Sequence, residues 1–539
     1  MKLFSYKNRP VHLGPYPLER LRRQEGGPDL AGVPSMRPVS YADESQPESL
    51  VNAMGRYIGM LDVVRDGAVT PLKAEIPDDP QERSSHLKAA GYYYDATMMG
   101  IAALPREALL AEPIRNPAVA GLVAELERGQ PKTFAAGIDV IYADVLESAR
   151  RRLGPVDHHT HAIVILIEHT RAPRPDEPGT EWFQDAQAQR AGVLAANTAV
   201  LLSSYIRLLG YEARSHTVAC SDVDLGKLAV VAGLARIEAG RSVNPYVGDR
   251  FGLAVVTTTL ALAPDKPLAE RGRLGGGGPP WWLGKGTQKN AFNRVPYKNR
   301  EFHMGAYPFE RLKRVETPTT FIDEPRVPRF PKRADFFARA VFGDMGKEMQ
   351  NNAKGGFYVL KSAIGAAARR ALGALLLLQF GEARGPISPS VRDPKRNALN
   401  VKAASYFMAT DAVGLSRCPE WAYYSHDAAG NVMKPYHKNA VSMLYDQGHE
   451  TFEGASGDDW ISVAQSMRAY LRFSLLGGII AEQIRRLGYS ARAHTVLDGD
   501  VLQPPLLLLS GLGEVSRIGE VILNPYLGPR LKSGVVTTD

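Results

Sequence analysis

The stretch VAQSMRAYLRFSLLGGIIAEQIRRLGYSARAHTV, Val463 to Val496, decides the fold. Alanines and leucines recur at helical spacing up to Arg486, which predicts a long helix. Gly488 stops it as glycines commonly stop helices. ARAHTV, from Ala491, then reads as a strand. The signal occurs twice, since LGYEARSHTV begins at Leu209 behind another helical pattern. Repeated helix–strand alternation predicts α/β layers, with α+β as the variant.

Working outward, the repetition extends over the whole chain. YKNRPVHLGPYPLERLRR from Tyr6 is echoed by YKNREFHMGAYPFERLKR from Tyr297. NPYVGDRFGLAVVTT from Asn244 is echoed by NPYLGPRLKSGVVTT from Asn524. KAA occurs at Lys88 and Lys402, and HAIVILIEH from His161 is the clearest strand candidate. The chain therefore reads as two related modules. The first is expected over 1–268 and the second over 297–539. Between them, 269–296 is a linker whose four consecutive glycines, Gly275 to Gly278, and Pro279–Pro280 suit neither helix nor strand. VVTT meets Asp539 beside a predicted strand, which reads as truncation of a longer protein.

Composition narrows the function. The 539 residues exceed a single core, and 44% apolar content is ordinary for a globular protein. The apolar runs are too short to span a bilayer, and MKLFSYKNRPVH lacks a signal-peptide core, so a cytoplasmic location without membrane contact is expected. Net charge is +8, but Lys and Arg alternate with acids, with no basic tail or aromatic-basic interleaving, so no nucleic-acid partner is expected. An anionic small substrate, a phosphate-bearing cofactor and a plain mixed-charge surface all fit that charge. The two cysteines, Cys220 and Cys418, lie in different modules and cannot ligate a four-thiolate cluster or a four-cysteine zinc.

Candidate chemistry concentrates in the second module. CPEWAYYSHD, from Cys418, offers two phenols, Tyr423 and Tyr424, with His426 and Asp427 alongside. A tyrosine is a general acid when a cation stabilises its anion. The plain alternative is a packed loop whose His and Asp cap a turn. Arg485 is the candidate cation, although Arg207 matches it in the first module and either can simply cap a helix. His494 matches His216, which points to a structural histidine or one near a cofactor. GLGEVSRIGE carries Gly511, Gly513 and Gly519, but its spacing is wrong for a dinucleotide loop. Its counterpart has Ala235 in place of Gly513. DHHTH, from Asp157, precedes a buried-looking strand with no acidic triad nearby, and no metal site is expected there.

The second module resembles the corrinoid-binding core of reductive dehalogenases, most closely the soluble, NAD(P)H-linked catabolic branch. The resemblance rests on NREFHMGAYPFERLKR, YYSHD, IRRLGY with ARAHT, GLGEVSR and NPYLGPRLKSGVVTTD, over Asn299 to Asp539. It implies duplicated nitroreductase-like modules, the first a vestigial copy that holds no cobalamin. It also implies corrinoid-dependent reductive dehalogenation of halogenated aromatic compounds, with cobalt meeting the carbon–halogen group. Tyr424, or else Tyr423, would be the proton donor, with Arg485 as its basic partner. His494, Gly511, Gly513, Arg517, Asn524, Tyr526, Gly528 and Lys532 would hold cobalamin. The family's two 4Fe-4S motifs have no cysteine ligands in this chain, so an iron–sulfur or flavin electron donor is expected on a missing C-terminal part or a separate protein. A non-catalytic corrinoid-binding or processing protein is the alternative.

Overall fold

A computed structural model describes residues 10–269, apart from 38, 40–44, 47–48 and 130–137. It also describes 300–539, apart from 314, 316–319, 355–361, 380, 392, 448–463, 497 and 520. The expected linker, beyond residue 269, lies outside the described residues.

The first module contains helices α1 (Leu50–Val63), α2 (Pro80–Tyr93), α3 (Ile138–Arg150), α4 (Gln187–Leu208) and α5 (Leu225–Val231). Its main sheet is built from β1 (Met98–Ala103), β2 (His161–Glu168), β3 (Ala213–His216) and β4 (Phe251–Thr258). The second module repeats the set with α6 (Ala363–Leu376), α7 (Pro394–Phe407), α8 (Ala464–Arg486) and α9 (Gln503–Leu509). Its sheet is β5 (Ala412–Arg417), β6 (Asn439–Asp446), β7 (Ala491–His494) and β8 (Leu531–Thr538). The orders are β1-β2-β4-β3 and β5-β6-β8-β7, antiparallel throughout. Registers also match: His161 opposes Thr258 as Asn439 opposes Thr538. The mixed α/β architecture is thus present twice, with ladders of the α+β kind.

Local sequence explains the matching elements. Both α2 and α7 start at an Asp-Pro pair. Asp79 accepts from the Gln81 N–H and Asp393 from the Lys395 N–H, each at 3.0 Å, while the proline takes a position needing no donor. The repeated N-terminal arms dock on these helices. Gly14 and Gly305 have φ of 64° and 65°, and a Cβ there would lie 2.3 and 2.4 Å from the rings of Tyr92 and Tyr406. Only glycine combines that backbone with so close an approach. β2 is buried along both faces, which explains its unbroken apolar run.

The halves share one core. Ile163, Ile165, Leu201 and Leu202 of the first module join Leu372, Leu375, Met443 and Ile479 of the second in a single buried cluster. α4 and α8 carry the apolar surface that the modules bury against α1 and α6. α4 is long and apolar enough to cross a bilayer, contrary to the reading from run lengths, but 83% of its apolar window is inside the protein. Polar contacts also cross between modules. Asn400 accepts from the Gly179 N–H at 2.7 Å, and Arg468 reaches Asp95 at 2.6 Å.

Candidate functional site

The two modules differ most at one place, where the strand after the Thr-x₂ turn meets the loop following the first strand of each sheet. In the first module, Leu109 opposes Val223; in the second, Tyr423 opposes Val501. Leu110 therefore holds the position of Tyr424, so the first module has no phenol there. The neighbouring carboxylates correspond as well, Asp222 to Asp500. Arg65 binds Asp222 directly, and also meets Cys220 Sγ at 2.8 Å and His216 Nδ1 at 3.3 Å. Arg115, at 2.8 Å, and Arg214, at 3.2 Å, add two more cations to the same carboxylate. Burial pushes the Asp222 carboxyl up, but Arg65, His216 and Arg115 outweigh it and hold the group far below its usual range. The first module's site is plugged by its own side chains.

In the second module Gln379 takes the place of Arg65, as shown by equivalent backbone bonds: Arg65 O accepts from Ser215 N, and Gln379 O from Ala493 N. Gln379 is 1% exposed, and its amide oxygen and nitrogen have no hydrogen-bond partner among the described residues. Asp500 keeps Arg492, in direct contact, and accepts from the Tyr436 hydroxyl at 2.8 Å. Asp498 pairs with Arg492 at 3.0 Å. This cluster borders Tyr424, whose N–H donates to Asp500 O at 3.0 Å.

Tyr424 is held from several sides. Phe330 meets its ring edge-on at 5.6 Å, and Lys332 Nζ lies 5.8 Å from the ring centre. Arg329 donates to the carbonyls of Tyr423, Tyr424 and Met433 at 3.2, 2.6 and 2.6 Å. The phenol is 8% exposed. Burial, then Asp335 and Asp500, raise its pKa, so it stays protonated at neutral pH. Lys332 donates to Gly499 O at 2.6 Å, and burial lowers its pKa against the pull of Asp498 and Asp500.

The remaining expected residues separate into several groups. Tyr423 is fully buried, and its hydroxyl donates to His437 O while accepting from the His437 N–H, both at 3.2 Å. That hydroxyl is therefore engaged inside the protein. Arg485 is corrected. It is 1% exposed, salt-bridged to Glu482 at 2.8 Å and bonded to the carbonyls of Ala491 and Leu378. Its guanidinium turns toward Glu482 and fastens the end of α8, while Lys332 Nζ is the side-chain cation over the Tyr424 ring among the described residues. Asp427 caps a turn through the N–H groups of Ala429 and Asn431, and His426 bonds Ser425, which is the plain alternative for that pair.

Of the residues expected to hold cobalamin, three serve the fold in both modules. His494 Nδ1 accepts from the Asp500 N–H at 3.0 Å, leaving Nε2 to donate to Thr537 at 2.8 Å; His216 repeats this with Asp222 and Thr257. Asn524 makes an Asx turn and donates to Leu512 O at 2.6 Å, as Asn244 donates to Leu234 O. Tyr526 donates to Pro308 O, as Tyr246 donates to Pro17 O, tying each arm to its NPY turn. These side chains are corrected to structural roles because identical bonds occur in a module with a plugged site. Gly513 is also corrected: a Cβ there would lie 2.6 Å from Leu523 O, so it admits the neighbouring strand. Gly511 and Gly528 have positive φ at turns, Arg517 lies on the following loop, and Lys532 Nζ sits 5.4 Å from the Tyr470 ring centre.

His494 gives a pH test. Burial depresses its pKa well below 6.5 in the folded chain, so below pH 6.5 the unfolded chain takes up the proton first and stability falls as pH falls. The slope reaches about 1.4 kcal/mol per pH unit for each such histidine. Urea unfolding between pH 7 and 5 should therefore be less acid-sensitive in His494→Gln; an unchanged slope would contradict a neutral buried histidine.

Near DHHTH, Glu212 approaches both histidines: its carboxylate lies 2.6 Å from His158 Nε2 and 3.7 Å from His159 Nε2. That acid belongs to LGYEARSHTV, far from DHHTH in the chain. His159 Nδ1 bonds Thr257 at 2.8 Å, and His158 satisfies Glu212 directly.

A corrinoid implied by this fold can be tested against the donors present. On the outer face of the second sheet, Ser416 and Ser442, with Ser516 of the GLGEVSR loop, have buried hydroxyls without a partner among the described residues. Ala102, Val164 and Glu238 stand there in the first module. The same face packs Tyr423 against Ala440 and Val535. The orphan hydroxyls on this face and the orphan amide of Gln379 are donors and acceptors that would suit a ligand rimmed with amides.

Solved structures match this fold over the whole chain. One, described as a reductive dehalogenase structure suggesting a mechanism for B12-dependent dehalogenation, is 37% identical, with a TM-score of 0.84. A catabolic reductive dehalogenase in complex with 3-bromo-4-hydroxybenzoic acid is 38% identical, also with a TM-score of 0.84. Each match covers 100% of this chain and 71% of the other. No family model matches, and no curated protein matches.

Proposed function

The chain belongs to the reductive dehalogenases of the catabolic kind, and from that premise we propose that it removes halide from a halogenated aromatic compound, with Tyr424 as proton donor. The net change breaks one carbon–halogen bond and forms one carbon–hydrogen bond. It consumes two electrons and one proton and releases halide. Cobalamin, when bound, supplies the cobalt chemistry that cleaves the carbon–halogen bond. Gln379, Ser416, Ser442 and Ser516 would meet its amide rim, with Arg517 and Lys532 as nearby cations.

The chain's own residues manage the proton. Burial keeps the Tyr424 hydroxyl protonated until it is needed. Lys332, over the ring face, stabilises the anion left after transfer. Phe330 and the Arg329 clamp fix the ring's direction. Asp500, held by Arg492 and Tyr436, keeps a second negative charge local, which favours reprotonation of the tyrosinate. The two cysteines cannot ligate a 4Fe-4S cluster, so the electrons would come from an iron–sulfur or flavin carrier outside these 539 residues.

The observation that carries this reading is the replacement of the Arg65 plug and Leu110 by Gln379 and Tyr424. The chain reconstituted with cobalamin should retain corrin absorbance through gel filtration, and Gln379→Arg should lose it. Equal retention by both would overturn the placement. Lys332→Met should lower turnover about tenfold, in line with loss of one favourable charge at the acid, without lowering thermal stability. Unchanged turnover would remove Lys332 from the proton path.

A further inference from the structure

Arg207 and Arg485 hold equivalent positions at the ends of α4 and α8, but among the described residues only Arg485 has a carboxylate in ion-pair contact. In the second module Glu482 Oε2 accepts from both Nε and Nη2 of Arg485, at 3.2 and 2.8 Å. In the first module the residue equivalent to Glu482 is Ser204. Arg207 still donates to Ala213 O at 2.8 Å, as Arg485 does to Ala491 O, but its Nε has no partner among the described residues. The Ser204 hydroxyl also has none. Arg207 is 4% exposed and Ser204 2%.

Both line a small pocket that opens to solvent, with Ser148, Arg370, Asp144 and Glu147 around it. The acids nearby are already matched: Asp144 pairs with Arg370 at 3.5 Å, Glu147 with Arg151 at 2.7 Å, and Asp66 with Arg214 at 2.7 Å. The guanidinium thus lacks the carboxylate that its counterpart has, and open space lies where that carboxylate would be.

We propose that the first module binds a small carboxylate at this pocket, held by Arg207 Nε and the Ser204 hydroxyl in the place that Glu482 fills in the second module. A planar carboxylate suits the guanidinium fork and also accepts from a hydroxyl. The bound anion would neutralise a buried charge at the module interface, so occupancy should stabilise the whole chain.

The test is ¹⁹F NMR of trifluoroacetate with the full-length chain. The signal should broaden on adding protein and sharpen when formate is added in excess. Chloride at the same concentration should leave the broadening intact. Ser204→Glu should abolish it and raise Tm by about 2 °C without added anion, the internal carboxylate replacing the external one. Arg207→Gln should also abolish it. No broadening with the unaltered chain, retained broadening in Ser204→Glu, or displacement by chloride as effective as by formate would each overturn the proposal.

Discussion

Tyr424→Phe is expected to lower dehalogenation by about 10²- to 10⁴-fold, the usual contribution of a positioned general acid. The substitution deletes only the hydroxyl. The ring would still meet Phe330 edge-on and lie beneath Lys332, and the backbone would stay clamped by Arg329. Corrinoid retention and thermal stability should therefore be close to those of the unaltered chain. The measurement is halide release with cobalamin and a chemical reductant, which bypasses the separate electron carrier. Free cobalamin under the same reductant gives the background. Tyr423→Phe should behave differently: its hydroxyl bonds both backbone groups of His437, so its loss should cost stability and only secondarily rate. A Tyr424→Phe rate equal to that of the unaltered chain would reject the assignment.

The second large effect is on stability. Glu482→Gln should destabilise the chain by about 3–5 kcal/mol, because it removes the ion-pair partner of the fully buried Arg485 and weakens the pairing of the part-buried Arg384 and Arg486. Glu482 is fully buried and meets Arg384 at 2.6 Å, Arg485 at 2.8 Å and Arg486 at 3.0 Å, with Arg56 of the other module at 4.0 Å. Burial pushes its pKa up, but Arg485, Arg384 and Arg486 outweigh burial and hold it below 4.5. A carboxylate with a depressed folded pKa stabilises the protein above its unfolded pKa. That contribution is lost as pH falls below 4.5 through the folded value. Urea midpoints at pH 7 and pH 4 measure both effects. Glu482→Gln should lower the midpoint at pH 7 and narrow the gap to the unaltered chain in acid; an equal loss at both pH values would contradict the charge account.

The fold was legible because duplication exposed it. LGYEARSHTV and LGYSARAHTV mark equivalent strands, and HAIVILIEH marks a strand buried on both faces. The halves' mutual burial was less legible, since the apolar pattern of α4 also satisfies the length and composition of a membrane span. The candidate site was read in part. Tyr424 stood out through chemistry and through its absence from the first module. Arg485 misled because repetition with a capping position says nothing about direction, and the guanidinium turns toward Glu482. Lys332 was missed because it lies in RVPRFPKRAD, outside every repeated stretch, and only the fold brings that segment over Tyr424. His494, Asn524 and Tyr526 lie in motifs shared by both modules. That sharing was the available signal that they belong to the framework. Gln379 was invisible, because pairing it with Arg65 requires the backbone bonds to Ala493 and Ser215.

The most direct measurement is a crystal structure of the chain loaded with cobalamin and 3-bromo-4-hydroxybenzoic acid. The account predicts the corrin against the second module's sheet face, with the bromine-bearing carbon within hydrogen-bond reach of the Tyr424 hydroxyl. A corrin seated beside Leu110 and Arg65, or a Tyr424 hydroxyl turned away from the bound ring, would contradict it.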